Sequence, residues 1–353
     1  MKTQLRLKLL AQTTRHLPEL GSPTFMELAQ WLKAELGSLY ALENKQKSGR
    51  HHILAVAPRH LYLIGANNLE VSSFQVILAA LVLGSSITVK LPSQRSREIK
   101  AFIKKFPASL RRLIRTETIL DKKKLHSADA VVVLGQDQTI AEIRALVSAQ
   151  CRFVGYGHKF SLIHLTRFPS PAEIKAIALD ISLYDQNGCL SPQTIYYAPS
   201  VSVNQLGPAL GEALTFWAKR LKFLPRTLYG HAQVQEARDW ARARGLTLWC
   251  SANSTVWTVI ADSDPTLVLS PGYRVIFLKP LPPVFSASTR TLLQNHLSTV
   301  GYVGSPTILT KKWAAFGASR FCPAGTMQYP PLTWHHDGRS LLADLVTWID
   351  WES

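Results

Sequence analysis

Apolar and polar positions follow two rhythms along the first half of the chain. His52 to Val56, Leu61 to Gly65 and Ser86 to Leu91 are apolar runs of strand length. Ala130 to Leu134 is uninterrupted, as in a strand buried on both faces of a parallel sheet. Between these runs the period lengthens. Phe74 to Gly84 predicts a buried helix and Arg95 to Phe106 an amphipathic basic one. Gly135 to Thr139 reads as a turn, Ile140 to Ser148 as a helix, and Arg152 to Tyr156 as a strand. Such alternation predicts right-handed βαβ units in a doubly wound parallel sheet, with ligands beyond the carboxyl ends of the strands.

The second half repeats this texture in shorter form. Leu206 to Phe223, Ala232 to Arg244 and Thr289 to Leu297 predict helices. Leu246 to Trp249, Trp257 to Ile260, Arg274 to Leu278 and Tyr302 to Gly304 predict strands. A turn-rich segment from Cys322 to His336 and a closing helix from Ser340 to Trp351 complete the reading.

Composition narrows this to a globular α/β protein. With 353 residues, 46% hydrophobic and 18% charged, the chain can form two domains and is too apolar to be disordered. The longest apolar run, Phe74 to Val89, is broken by Gln75, Gly84, Ser85, Ser86 and Thr88, so no membrane span is expected. The start, with Lys2, Arg6 and Lys8, lacks the apolar core of a signal peptide and reads as mature protein. Cys151, Cys189, Cys250 and Cys322 have no CxxC spacing, which argues against a metal site or disulfide framework and for a reducing cytoplasmic location.

Charge changes the picture further. The formal net charge of +17 points to polyanionic small molecules, an acidic protein or nucleic acid. Lys100, Lys104, Lys105, Arg111, Arg112, Arg115 and Lys122 to Lys124 concentrate it, and a solvated helix face is the plain alternative. No zinc-finger, RRM or KH pattern accompanies them, so no specific nucleic acid is expected.

Candidate chemistry centres on Cys189, in Asp185-Gln186-Asn187-Gly188-Cys189-Leu190-Ser191-Pro192-Gln193. Asn-Gly favours a tight reversal, and Pro192 stops a helix from running on. A thiol on such a turn, near backbone N–H groups, suits a nucleophile. A buried structural cysteine is the competing reading. The strand–turn–helix at Val131 to Ile140 carries Gly135 alone and lacks the GxGxxG fingerprint.

These pieces resemble the acyl-CoA reductase family, which includes the fatty-acid reductase subunit of bacterial bioluminescence, within the aldehyde dehydrogenase superfamily. The Asp185–Gln193 run is similar to that family's nucleophile segment, and Gly157-His158-Lys159 to the superfamily's Gly-Gly-Lys element. Gly65-Ala66-Asn67-Asn68-Leu69-Glu70 resembles its Asn-bearing loop and Val89-Lys90-Leu91-Pro92-Ser93 its Lys-Pro-Ser strand. Arg320 to Gln328 and Trp334 to Arg339 resemble the C-terminal blocks. The superfamily's catalytic Glu, two residues before Gly-Gly-Lys, is Gly155 here, which fits a thioester reductase and argues against hydrolytic aldehyde oxidation. The superfamily's second carboxylate motif has no counterpart that we can place.

The resemblance implies an aldehyde dehydrogenase-like α/β fold: two Rossmann-like three-layer α/β/α domains with the active site between them. It implies a cofactor-binding domain at residues 1–180, a catalytic domain at 181–320 and a C-terminal segment, 321–353, packing back on the core. Cys189 would be the nucleophile, and the Asn68 amide an oxyanion donor, against a plain turn role. His158 would be a proton donor, against a structural role. Lys90, Ser93, Gly135, Gly157 and Lys159 would surround the dinucleotide, and Arg95 would meet a 2′-phosphate, favouring NADPH over NADH. No metal is implied, and His335-His336-Asp337 reads as a turn. The implied partners are acyl-CoA or acyl carrier protein, an acyl-activating synthetase and a second copy of the chain. Aldehyde oxidation and a silent basic binding protein are the rival functions.

Overall fold

The computed structural model describes residues 1–17, 20–49, 51–223, 226–305 and 307–352. The chain forms two compact units, Met1–His158 with Pro331–Ser353, and Lys159–Pro330.

The first unit opens with helices α1 (Thr3–Thr14) and α2 (Phe25–Leu36) and strands β1 (Gln46–Ser48) and β2 (His51–Val56). Thr24 and Glu27 form a reciprocal capping box that starts α2, and Gly37 in the left-handed region ends it. Then follow β3 (His60–Ile64), α3 (Val71–Leu83), β4 (Ser86–Lys90), α4 (Ser96–Lys104), α5 (Ala108–Arg111) and β5 (Ile114–Glu117). The series ends with α6 (Lys122–His126), β6 (Ala130–Leu134), α7 (Asp137–Arg144) and β7 (Arg152–Tyr156). Strands β3 to β7 make one parallel sheet in the order β5-β4-β3-β6-β7. Strand side chains alternate between its faces. Leu61, Leu63, Val89 and Val132 pack with α3, α4 and the C-terminal Leu342 and Leu345, while Tyr62, Val131 and Val133 pack with Leu125 of α6 and Ile143 of α7. The order reverses between β3 and β6, and in open α/β sheets ligands bind beyond the carboxyl ends of the strands at such a point.

The second unit contains β8 (Phe160–Leu165), α8 (Pro171–Ser182), β9 (Pro192–Tyr197), α9 (Val203–Ala218), α10 (Leu228–Ala243), β10 (Thr247–Cys250), β11 (Thr258–Ala261) and β12 (Val275–Pro280). It continues with α11 (Ala287–His296), β13 (Leu297–Val303), α12 (Thr307–Ala314) and β14 (Arg320–Pro323). The sheet order is β10-β11-β12-β9-β8-β13-β14, parallel except for the β10–β11 pair. Ile163, Ile195 and Ile276 pack on α8 and α9 on one face. On the other, Phe160, Tyr196 and Val300 pack with Leu293 and Trp313, and Ile260 and Phe277 with Val234 of α10.

Several elements depart from the pattern reading. The expected helix from Ser340 to Trp351 is a set of turns followed by strand β15 (Thr347–Glu352), which pairs antiparallel with β2. Leu341, Leu342, Leu345 and Val346 have helix-like spacing, but they are buried from turns. Thr347, Ile349 and the two tryptophans favour a strand once β2 offers an edge. Strands β8 and β9 pass unrecognised by apolar run length because polar Ser161, His164, Gln193 and Thr194 interrupt them. All but Gln193 of these are buried, so polarity there does not mean exposure. The expected boundary at residue 180 lies inside the second unit, since β8 pairs with β9 and β13 and α8 packs on α9.

Candidate active site

Cys189 lies in a short turn between α8 and β9. Helix α8 begins with a Ser170–Glu173 capping box and Pro171 at its first position, which fixes where it starts. It ends in backbone that side-chained residues rarely adopt. Tyr184, Asp185 and Gln186 take φ values of 56°, 53° and 62°. Left-handed geometry costs about 1–2 kcal/mol per such residue, so surrounding contacts must hold it. They do. Asp185 Oδ1 takes Arg226 Nη2 at 3.1 Å and Arg274 Nε at 3.3 Å. The Asp185 carbonyl accepts from Tyr273 N at 2.9 Å. Gln186, buried, donates through Nε2 to the carbonyls of Pro192 at 2.7 Å and Val275 at 2.8 Å. The reversal expected at Asn187-Gly188 is therefore three residues earlier: Asn187 has φ −91° and Gly188 does not take a positive φ. Asn187 instead caps the bend, donating to the carbonyls of Tyr184 and Asp185.

The turn is also held from below. Ser191 N donates to Gly188 O at 3.0 Å. The Cys189 carbonyl accepts from Ser161 Oγ at 2.7 Å, and that buried hydroxyl accepts from Thr299 N at 3.3 Å. Gln328 Nε2 joins Ser191 Oγ to the Asp180 carbonyl, both at 3.0 Å. The Asp180 carboxylate accepts from the backbone N–H groups of Gly325 and Met327. Burial pushes its pKa up to about 7 against the pull of those donors. Cys189 and Cys250 are half-buried, whereas Cys151 and Cys322 are buried and burial raises their thiol pKa values. Cys189 is thus an accessible thiol on a backbone fixed at both ends.

In the first unit the expected cofactor residues gather at the carboxyl ends of β3, β4, β6 and β7. Gly65 N donates to Lys90 O at 3.2 Å, and a Cβ there would press on Ser73 Oγ at 3.1 Å and Pro92 at 3.2 Å. Asn67 Oδ1 accepts from Ser93 Oγ at 3.1 Å and Gln94 N at 3.3 Å, tying the Asn68 loop to the end of β4. Asn68 itself is exposed and Lys90 half-buried. Arg95, at φ 64°, lies 3.7 Å from Glu70 and 3.9 Å from Glu98. Gly135 N donates to Tyr156 O at 3.2 Å. His158 is exposed, and its backbone N donates to Asp137 Oδ1 at 3.3 Å; a Cβ on Gly157 would collide with that carboxylate. Lys159 belongs to the second unit, where Nζ donates to Asn295 O at 2.9 Å. Beside β4 and β5 lies a cavity of about 540 Å³ lined by Leu91, Lys100, Thr116 and Glu117. Glu117 Oε2 pairs with Lys124 at 2.8 Å, while its buried Oε1 has no hydrogen-bond partner among the described residues.

The model of the acyl-CoA reductase (LuxC) family matches residues 23–348. The chain belongs to that family. No curated relative matches it. Solved structures show what the family's fold is similar to. A NAD-dependent benzaldehyde dehydrogenase from Corynebacterium glutamicum superposes with a TM-score of 0.64 at 12% identity, over 100% of this chain and 86% of that one. Glyceraldehyde-3-phosphate dehydrogenase GapN from Methanocaldococcus jannaschii, complexed with NADP, gives 0.65 at 11% identity over 100% and 90%. Aldehyde dehydrogenase C from Pseudomonas syringae, complexed with NAD+ and octanal, gives 0.64 at 11% over 100% and 85%. The fold is that of the aldehyde dehydrogenases, as the motif order implies.

Gly155, the position that the resemblance sets against the superfamily's Glu, stands on β7. A Cβ there would meet Ile140 Cγ2 at 2.6 Å, so the space is already filled by a helix side chain. His335-His336-Asp337 is a turn: His336 bridges to Arg339, with Asp337 and Gly338 at positive φ, and its ring stacks on Tyr156 at 4.2 Å. Ser161, Asp180, Asp185, Arg226, Arg274 and Gln328 escape the sequence reading as supports of Cys189. Only Asp185 and Gln328 lie in motifs that mark them; the others come from distant segments.

Proposed function

We propose that the protein reduces acyl thioesters to aldehydes, with acyl-CoA as donor and acyl carrier protein as the second candidate. The observation that carries this reading is Cys189, an accessible thiol on a strained turn held by buried polar groups. Cys189 thiolate attacks the thioester carbonyl, and the C–S bond to the carrier breaks as its thiolate leaves. The resulting acyl-enzyme is a thioester again, so the exchange is close to isoenergetic. When bound, the nicotinamide cofactor supplies the hydride to the acyl carbon. The thiohemiacetal oxygen then collapses to the aldehyde and Cys189 leaves as thiolate. The carrier thiolate takes up a proton, for which we propose His158. The Cys189 backbone N–H and the Asn68 amide are the proposed oxyanion donors; loss of one such donor costs on the order of 10²–10³ in rate.

A deacylating base is not needed for this cycle, and Ile140 filling the space over Gly155 supports reduction over aldehyde oxidation. For the cofactor, the reversal of strand order between β3 and β6 and the cavity beside Glu117 support a nicotinamide dinucleotide with Lys90 and Ser93 toward its ribose and Gly135 and Gly157 toward its phosphates. We propose NADPH, with Arg95 meeting the 2′-phosphate. NADH is the second reading, because Arg95 is paired with Glu70 and Glu98 and Glu117 Oε1 is a ready hydroxyl acceptor. Arg95→Ala separates them: it raises the KM for NADPH alone if Arg95 reads the phosphate. Equal effects on both cofactors would remove that role. None of the four cysteines forms a disulfide, which supports a cytoplasmic location. The direct test is Cys189→Ala, with acyl-CoA and NADPH as substrates. The reading predicts complete loss of cofactor oxidation, and retention of parent activity would overturn it.

A further inference from the structure

We propose that the second unit binds a phosphate group at the Arg226–Arg274 pair. A cavity of about 500 Å³ opens there, lined by Asp185, Arg226, His231, Ser254, Thr255 and Arg274. The two arginines come from separate segments, one just before α10 and one just before β12. Each side chain is only 6% exposed.

Their charges are not balanced. Both guanidiniums share the single oxygen Asp185 Oδ1, so one carboxylate faces two cations. The other contacts are with uncharged groups: Arg226 Nη1 donates to the Thr255 carbonyl, Arg226 Nη2 to Tyr273 O and Arg274 Nε to Val256 O, and the guanidiniums lie over the Tyr273 and Phe223 rings. Arg226 Nε and Arg274 Nη1 are buried and have no hydrogen-bond partner among the described residues. Buried guanidinium N–H groups without acceptors, with surplus positive charge beside a cavity, are a place for an anion.

The surroundings favour phosphate over a carboxylate. His231 stands exposed at the rim in the first turn of α10, with Nδ1 at 2.6 Å from Thr255 Oγ1. The sixteen-residue helix α10 starts two residues after Arg226, which sets the positive end of its dipole near the pair. Two guanidiniums from separate segments and an imidazole at the rim suit the several oxygens of a phosphate. Asp185 lies between the guanidiniums, and Arg226 Nε and Arg274 Nη1 are the N–H groups left for the anion.

Two sources share this chemistry: free phosphate, and the phosphates of a thioester carried on coenzyme A. The second rests on the reductase reading. Asp185 is four residues from Cys189, so the two are within about 14 Å along the chain. A coenzyme A phosphate at the arginines would then help to present the thioester to the thiol.

Calorimetric titration of the full chain with inorganic phosphate, 3′,5′-ADP and coenzyme A tests this, with parent, His231→Ala and Arg226→Met compared. Because Arg226 also holds the Asp185 turn, thermal unfolding checks its variant, and His231→Ala carries the test if that variant does not fold. The proposal expects binding that weakens with salt and falls about tenfold on loss of either side chain. Preference for 3′,5′-ADP and coenzyme A assigns the carrier, and equal binding of inorganic phosphate assigns the free ion. No binding of any probe, or binding indifferent to the folded variants, overturns the site. Acylation of Cys189 with binding indifferent to the variants would sink the site and leave the reductase reading. Variant-sensitive binding without acylation would do the reverse.

Discussion

Asp180 and His164 show how single buried groups set the pH response of the second unit. Asp180 is pushed up to about 7 by burial, so the folded state holds its proton more tightly than the unfolded chain does. Its contribution is fully present below about pH 4 and is lost as pH rises through 7. His164 has the opposite sign. Burial lowers it to about 4, so its contribution is present above the ordinary histidine value and is lost as pH falls toward 4. The two slopes oppose each other across one window. Asp180→Asn removes one of them. The variant should gain stability relative to the parent by on the order of a few kcal/mol between pH 5 and 8. Urea unfolding at both pH values measures this, and a difference that does not change with pH would remove Asp180 as the titrating group. Gly155 supplies a second residue-scale prediction. Gly155→Glu must displace Ile140, so it should cost about 1–3 kcal/mol and confer no aldehyde oxidation. A stable variant that oxidises aldehydes would contradict the packing argument.

At the scale of elements, the turn that carries Cys189 depends on three strands. Ser161 at the start of β8 joins the Cys189 carbonyl to Thr299 of β13, and β9 begins three residues after the thiol. Ser161→Ala leaves a buried carbonyl and a buried N–H without their hydroxyl, a loss of about 1–3 kcal/mol. It should lower kcat more than it changes KM; an unchanged kcat would show that the turn holds its shape without Ser161. Much of this architecture is legible in the chain. The uninterrupted Ala130–Leu134 run and the amphipathic Arg95–Phe106 stretch become β6 and α4, because burial on two faces and on one face leave distinct periods. The order of motifs carries the fold. The bend before Cys189 is not legible. Asn-Gly is the local signal for a reversal, but Asp185 held by Arg226 and Arg274 places it on Tyr184–Gln186. Those arginines are some forty to ninety residues away in sequence, and no local rule predicts such contacts. The tail misleads for a related reason: its leucines have helical spacing, but pairing of β15 with β2 decides the backbone.

For the whole molecule, the surplus of basic residues is the feature most open to measurement. Lys100, Lys104, Arg111, Arg112 and Lys122 to Lys124 are all exposed, while Ile99, Phe102 and Leu110 of the same segments are buried. Amphipathic packing thus leaves a basic surface on the first unit. Attraction of this kind speeds the encounter with a polyanionic substrate and is screened by salt. We expect kcat/KM for acyl-CoA to fall as sodium chloride rises from 0.02 to 0.3 M, by about tenfold. A flat profile would assign the charge to another role. None of the described helices is long and apolar enough to cross a membrane. The central claim remains that Cys189 carries the acyl group. Incubation with a long-chain acyl-CoA, followed by peptide mass spectrometry, tests it most directly. The account predicts one acyl adduct, on Cys189, that disappears with aldehyde release when NADPH is added. An unmodified Cys189, or an adduct that NADPH leaves in place, would contradict it.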